Sequence, residues 1–158
     1  MKLFTIGFKG RSAEDFFQTL KKAGVQKLID VRRKNASQLA GFTKGSDLRY
    51  FLQECFDIAY EHIPEFGPSE ELLKEYQTRL GEKKKDDAAW AYYVERFRDE
   101  VLSQAIIEHF QKSTSDCESV CLLCSEQNSE RCHRRLLAEY LNKHLPNIEV
   151  EHLERKAK

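Results

Sequence analysis

The residues best suited to chemistry lie close together near the end of the chain. Cys124-Ser125-Glu126 is followed by Arg131-Cys132-His133-Arg134, so that thiols, a carboxylate, an imidazole and two guanidinium groups fall within eleven residues. An apolar run precedes this segment and a helical pattern follows it. In α/β proteins ligands bind at such strand ends, where the free N–H groups of the next helix attract anions.

Each of these residue types indicates a role. Arg134 falls in the first turn of the predicted last helix, where the helix dipole favours a negative partner, and it is the predicted anion-binding residue. Glu126 and His133 are candidate catalytic residues that move protons, although Glu126 is equally suited to anchoring the loop. Cys124 and Cys132 are candidate functional thiols, and for Cys132 the alternative is a small buried apolar residue.

A second pair of charged residues ends another predicted strand. Asp30 and Arg32 lie two positions apart, so strand alternation places them on one face and Val31 on the other. Asp30 is a third candidate catalytic residue and Arg32 a second candidate for anion binding. A structural ion pair between them is the alternative.

Three familiar cysteine chemistries do not fit the spacing. Cys121 and Cys124 are three positions apart on a predicted strand, so they point to opposite faces and do not form a chelating or redox pair. A zinc site of Cys124, Cys132 and His133 matches no standard ligand pattern, and we predict no metal. The interval from Cys124 to Arg131 is one residue longer than in the loop of protein tyrosine phosphatases, which argues against that chemistry.

The elements that must position these residues alternate along the chain. Five strand-like runs are rich in branched or aromatic residues, and helical patterns separate them. This order predicts an α/β fold with a mostly parallel sheet and helices on both faces. The carboxyl ends of parallel strands meet at one edge, so we expect Asp30, Arg32, Glu126 and Arg134 to share a pocket there. The predicted strands are Lys2–Phe8, Lys27–Arg32, Ile58–Ile63, Ser119–Ser125 and Ile148–Leu153.

Helix boundaries follow from caps and apolar spacing. Ser12 precedes acidic residues and an apolar stripe that ends at Gly24, and Ser46 and Ser69 begin two further helices. The longest predicted helix extends from about Asp86 to Phe110 and carries an aromatic stripe typical of a core. Asn128 or Ser129 caps the last helix, which ends before Pro146. The charge run Glu82–Asp87 indicates a solvated loop.

Composition limits the classes of protein that fit. The 158 residues predict one domain spanning 1–158, and equal numbers of acidic and basic residues give no global field toward nucleic acid or acidic membranes. The chain shows neither a signal peptide nor an apolar stretch that spans a membrane, which predicts a soluble cytoplasmic protein. Five cysteines in such a chain indicate reduced thiols. The sequence indicates no particular cofactor and no oligomeric state.

At these motifs the chain resembles the domain-of-unknown-function 488 family. The resemblance rests on Thr5-Ile6-Gly7, Asp30-Val31-Arg32, Tyr60 with His62, and Cys124-Ser125-Glu126 leading to Cys132-His133-Arg134. It covers nearly the whole chain and implies a single α/β domain. It also marks Asp30, Arg32, Cys124, Glu126, Cys132, His133 and Arg134 as the family's motif positions, without implying a reaction.

Three functional classes remain. An enzyme that acts on a phosphate-bearing substrate, such as a nucleotide or nucleic acid, accounts best for carboxylates and arginines at one sheet edge. A non-catalytic nucleotide or nucleic-acid binding module would use the same arginines. A metal or redox module would use the thiols. The expected partner is therefore an anionic small molecule or a nucleic acid.

Overall fold

The central feature of the fold is a five-stranded sheet in which all pairs of neighbouring strands are parallel. The computed structural model describes residues 1–36 and 41–155. The strand order is β3-β2-β4-β1-β5. The strands are β1 (Lys2–Gly7), β2 (Lys27–Asp30), β3 (Ala59–His62), β4 (Ser119–Cys124) and β5 (Glu149–His152). All five predicted strands and the predicted fold class are confirmed, with each strand ending a residue or two inside its predicted limits.

Six α-helices lie among the described residues. They are α1 (Ala13–Lys22), α2 (Gly45–Tyr50), α3 (Glu70–Leu80), α4 (Asp87–Glu100), α5 (Gln104–Ser113) and α6 (His133–His144). The predicted caps at Ser12 and Ser69 are present, because each side chain accepts a hydrogen bond from the backbone N–H three residues later. A π-helical turn over Phe51–Cys55 continues α2. No helix in the described ranges has both the length and the apolar character needed to cross a membrane.

Two predicted helix boundaries were wrong. The single helix expected from Asp86 to Phe110 is interrupted, because Ser103 adopts an extended backbone and begins α5 instead of continuing α4. The last helix begins at His133 with Cys132 in the N-cap position, and not after Asn128 or Ser129. Ser129 instead begins a tight turn in which its carbonyl accepts from the Cys132 N–H.

The sheet is covered on both faces, and the two hydrophobic cores follow strand alternation. The first core lies against α3, α4, α5 and α6 and receives Ile29 and Val31 from β2 and its end, and Leu122 and Cys124 from β4. The second core lies against α1 and α2 and receives Leu28, Cys121 and Leu123. Cys121 and Cys124 therefore do point to opposite faces, as the alternation predicts.

Candidate functional site

A cleft of about 810 Å³ opens at the carboxyl edge of the sheet. Its floor includes the end of β4 and the start of α6, residues that follow β1 and β2 line it further, and α3 and α4 contribute its walls. Its size falls within the range of small-molecule sites. Its lining includes Phe8, Lys9, Arg32, Arg33, Tyr76, Trp90, Tyr93, Cys124, Glu126, Cys132 and His133.

The structure brings most of the predicted site residues into this cleft. Its lining contains Arg32, Cys124, Glu126, Cys132 and His133, but not Asp30 or Arg134. Asp30 shares the sheet face of Leu28 and the second core, opposite to Cys124, and is completely buried. The expected pocket of Asp30, Arg32, Glu126 and Arg134 is therefore only partly formed.

Two cysteines and a histidine form a compact cluster at the floor of the cleft. Cys124 is the last residue of β4, Cys132 caps α6 and His133 is its first residue. The two sulfur atoms and a ring nitrogen of His133 all lie within 4.8 Å of one another. The Nδ1 atom of His133 lies 3.8 Å from the Cys124 sulfur, and its Nε2 atom donates to the Val31 carbonyl at 3.4 Å. This contact leaves Nδ1 free to accept the proton of Cys124.

The environment of Cys124 favours the thiolate. A hydrogen bond from the Cys132 thiol lowers the pKa of Cys124 well below its ordinary value, against the effect of burial, and His133 and the backbone N–H of Glu126 lower it further. Burial and the charge on Cys124 raise the pKa of Cys132. Burial opposes protonation of His133, but the neighbouring Cys124 thiolate raises its pKa. These shifts favour a thiolate on Cys124, a proton on His133 and a neutral thiol on Cys132.

Alkylation kinetics should show this thiolate directly. Alkylation requires the thiolate, so the rate for Cys124 should reach its plateau at a pH below the pKa of a free thiol, about 8.5. Peptide mass spectrometry after timed iodoacetamide treatment across the pH range measures this profile. Its shape is compared with that of free glutathione, because burial slows Cys124 at every pH. A Cys124 rate that rises only through the range of an ordinary thiol would contradict the assignment.

Arg32 belongs to a buried polar network and also reaches the cleft. Its Nε and Nη2 atoms donate to the two carboxylate oxygens of Asp30 at 2.8 and 2.6 Å, and Nη2 also donates to the Thr43 carbonyl at 2.8 Å. The Tyr60 hydroxyl donates to Asp30 at 2.7 Å. Burial and the Asp30 charge raise the pKa of Tyr60, so it remains a donor. These contacts fit the structural ion pair considered for Asp30 and Arg32.

One nitrogen of Arg32 has no partner within the described residues. The Nη1 atom is buried and makes no hydrogen bond there. The whole Arg32 side chain is only 5% exposed, so bulk water does not replace the missing partner. Leaving a buried charged donor unpaired costs about 1–3 kcal/mol or more, a cost that a bound acceptor would offset. Arg32 also contributes a positive charge close to Cys124.

Arg134 faces the interior of the loop that joins β4 to α6. It is 1% exposed, and its Nη1 atom donates to the Glu126 carbonyl at 2.6 Å and to the Cys132 sulfur at 3.4 Å. Its Nη2 atom donates to the Gln127 carbonyl at 3.3 Å. The predicted anion-binding side chain is thus occupied by the backbone, because the loop folds over it. The same loop lies against β1, where a Cβ on Gly7 would overlap the Glu126 carbonyl oxygen.

Glu126 presents its side chain to the cleft while its backbone is held below. The carboxylate is 54% exposed, and its ion pair is with Lys9 at 3.9 Å. The loop is anchored through the Glu126 carbonyl and not through the carboxylate. This arrangement weighs against the anchoring role and leaves the carboxylate available for proton transfer.

The cleft is basic although the whole chain is neutral. Its lining contains three glutamates and eight lysines and arginines, which are Lys9, Arg32, Arg33, Lys34, Lys74, Lys84, Lys85 and Arg131. Surrounding positive charge of this kind attracts anions locally. Lys84 and Lys85 lie in the charge run that indicates a solvated loop, so their contribution to the cleft was not predicted. Tyr76 and Trp90 were not predicted at the cleft either, because only the packing of α3 against α4 brings them there.

Cys124, Cys132 and His133 also have the ligand atoms that a soft cation such as Zn²⁺ prefers. Two neighbouring guanidinium groups make the surroundings unfavourable for a dication. Arg134 donates to the Cys132 sulfur, and Arg32 lies near Cys124. The same two groups stabilise a thiolate, so the geometry favours thiol chemistry over metal binding.

Comparison with known proteins identifies a family. The model of the family described as domain of unknown function DUF488 matches residues 12–141. No curated protein and no solved structure shows a significant match to the chain. The match includes the cysteine and histidine cluster together with Asp30 and Arg32.

Proposed function

We propose that this chain, which belongs to the DUF488 family, is an enzyme that acts on a phosphate-bearing substrate, such as a nucleotide or a nucleic-acid end, with Cys124 as the nucleophile. The observation that carries the proposal is the position of the Cys124 sulfur. It lies at the floor of a basic cleft, 3.8 Å from the Nδ1 atom of His133 and within reach of the Cys132 thiol. A nucleophile needs such activation by an adjacent base or a lowered pKa.

The anion is held by Arg32. Its unpaired Nη1 atom supplies the donor, and its other nitrogens are fixed by Asp30. Asp30 is then a positioning residue, because it is completely buried and acts through Arg32. The spacing from Cys124 to Arg131 excludes phosphatase chemistry only if the arginine must follow Cys124 in the same loop. An arginine from the end of β2 removes that requirement.

The chemistry proceeds in two balanced steps. In the first, the Cys124 thiolate attacks phosphorus, the ester P–O bond breaks, and His133 gives its proton to the departing oxygen. In the second, water attacks the thiophosphate, the S–P bond breaks, and Glu126 accepts the proton of that water. Phosphate leaves and the Cys124 thiolate is restored. Glu126 releases its proton to solution and His133 regains one from solution, which returns both groups to their starting states. Splitting one difficult displacement into two is the advantage of a covalent intermediate.

Phosphate release from a panel of substrates tests the proposal. The panel contains an aryl phosphate, nucleoside monophosphates and an oligonucleotide with a terminal phosphate. We expect Cys124→Ser to lower turnover by roughly 10³-fold or more, because the nucleophile is lost. Cys121→Ala is the matched control, since this thiol lies on the same strand but faces the second core. It should remain active and lose only about 1–2 kcal/mol of stability.

The other outcomes each favour a different function. Phosphate release by Cys124→Ser at the native rate would overturn the nucleophile assignment. Nucleotide binding without turnover would support a non-catalytic binding module. Stoichiometric metal in the purified protein, with activity lost on chelation, would support a metal enzyme.

A further inference from the structure

Cys132 is a buried nucleophile that the proposed reaction does not consume. It is 2% exposed, caps α6 in an extended backbone conformation, and lines the floor of the cleft. A hydrophobic residue of similar size would satisfy packing at this position. The thiol instead faces the Cys124 sulfur, with the two atoms within 4.8 Å.

The positions of the two cysteines allow a bond between them. A disulfide needs a sulfur–sulfur distance of about 2.05 Å, so the two atoms must approach by at most a few ångströms. Both project toward the same face of the sheet, one from the end of β4 and the other from the N-cap of α6. Cys121 is excluded as a partner because it belongs to the second core.

We propose that a hydroperoxide oxidises Cys124 and that Cys132 resolves the product to a reversible Cys124–Cys132 disulfide, which stops the proposed activity. The loss of activity rests on the proposed function, whereas the oxidation chemistry does not. Oxidation is selective and reversible at low-pKa thiolates next to a second cysteine. Cys124 is only 3% exposed, but it lines the cleft, through which a small hydroperoxide would reach it.

The chemistry balances in two steps. The Cys124 thiolate attacks the terminal peroxide oxygen, the O–O bond breaks, and the alcohol leaves with a proton from His133, which produces a sulfenic acid. The Cys132 sulfur then attacks the Cys124 sulfur, the S–O bond breaks, and the hydroxyl leaves as water with the Cys132 proton. The peroxide is reduced by two electrons and the two thiols are oxidised by two. A dithiol reductant reduces the Cys124–Cys132 disulfide back to two thiols.

Mass spectrometry of the full chain after hydrogen peroxide treatment tests the proposal. The native protein should become lighter by two hydrogen atoms, peptide mapping should link Cys124 to Cys132, and dithiothreitol should restore both the mass and the activity. In Cys132→Ser, Cys124 should accumulate sulfinic and sulfonic acids that dithiothreitol does not reverse. Cys55→Ser is the control, since Cys55 is exposed, and it should behave as the native chain. Each variant is compared with its own activity before oxidation.

Two results would overturn the proposal: a Cys132→Ser protein that recovers as fully as the native chain, or an oxidised native protein with Cys132 still free. The mass change is independent of turnover. A disulfide in a protein without phosphate-releasing activity would remove the proposed function and leave the oxidation chemistry standing. Phosphate release that depends on Cys124, in a protein that forms no disulfide, would support the proposed function and overturn the oxidation proposal.

Discussion

Replacing Asp30 with alanine should lower the free energy of unfolding by about 3–5 kcal/mol. Asp30 is completely buried, and both of its oxygens accept hydrogen bonds from Arg32. Removal of the carboxylate leaves a buried guanidinium without its counter-charge and the Tyr60 hydroxyl without its acceptor. Breaking one side of a buried ion pair is far more costly than the net contribution of the pair. Urea unfolding of both proteins measures the difference.

The double variant Asp30→Ala/Arg32→Met is the control for this prediction. It also removes the Arg32 guanidinium, which the single variant leaves without a counter-charge, so it should recover a large part of the lost stability. A single variant that loses less than about 1 kcal/mol would show that water or another group compensates Arg32. We also expect the double variant to lose phosphate affinity, because Arg32 is the proposed anion-binding residue.

Arg134→Ala should destabilise the protein by a similar amount, about 3–5 kcal/mol. The substitution leaves the Glu126 and Gln127 carbonyls without their donors and opens a cavity beneath the loop. The neighbouring Arg135→Ala is a matched control. Arg135 is 30% exposed and pairs with Glu139 one helical turn away, so its loss should cost less than about 1 kcal/mol. Urea unfolding of the two variants gives the comparison.

The same variant separates the two roles considered for Arg134. If it binds the anion, Arg134→Ala would keep its stability and lose the thermal shift that inorganic phosphate produces. If it organises the loop, the melting temperature falls before any ligand is added. A variant as stable as the native protein but unable to bind phosphate would restore the anion-binding assignment made from the sequence.

The sequence was sufficient to predict the strands and the sheet edge at which the cleft opens. Each strand is a short apolar run between turn signals, and parallel strands place their carboxyl ends together. Alternation within a strand was also predictable, as Cys121 and Cys124 show. The register between neighbouring strands was not predictable from the sequence. Asp30 and Cys124 both lie at strand ends, yet Asp30 pairs with Leu123 across the sheet and therefore shares the face of Leu123, opposite to Cys124.

Side-chain direction explains the remaining differences at the site. The first turn of α6 was correctly identified as the location of His133 and Arg134, but helix position alone does not say whether a side chain extends to ligand or folds beneath a loop. Arg134 does the latter because the β4–α6 loop supplies carbonyls above it. Cys132 was a candidate functional thiol in the sequence, but its contact with Cys124 was not predictable. Its eight-residue separation from Cys124 matches no standard motif, and only the packing of α6 on β4 brings the two sulfur atoms together.

The wall of the cleft also contains the single tryptophan of the chain, Trp90. Its ring stacks on Tyr93 with 5.2 Å between the ring centroids. Tyr93 in turn lies close to Cys124 and Cys132. Indole emission depends on local polarity and on nearby quenching groups. All of the tryptophan fluorescence therefore originates beside the site, so the protein carries its own optical reporter. Occupancy of the cleft, and the exchange between its thiol and disulfide forms, become observable in solution without any attached dye.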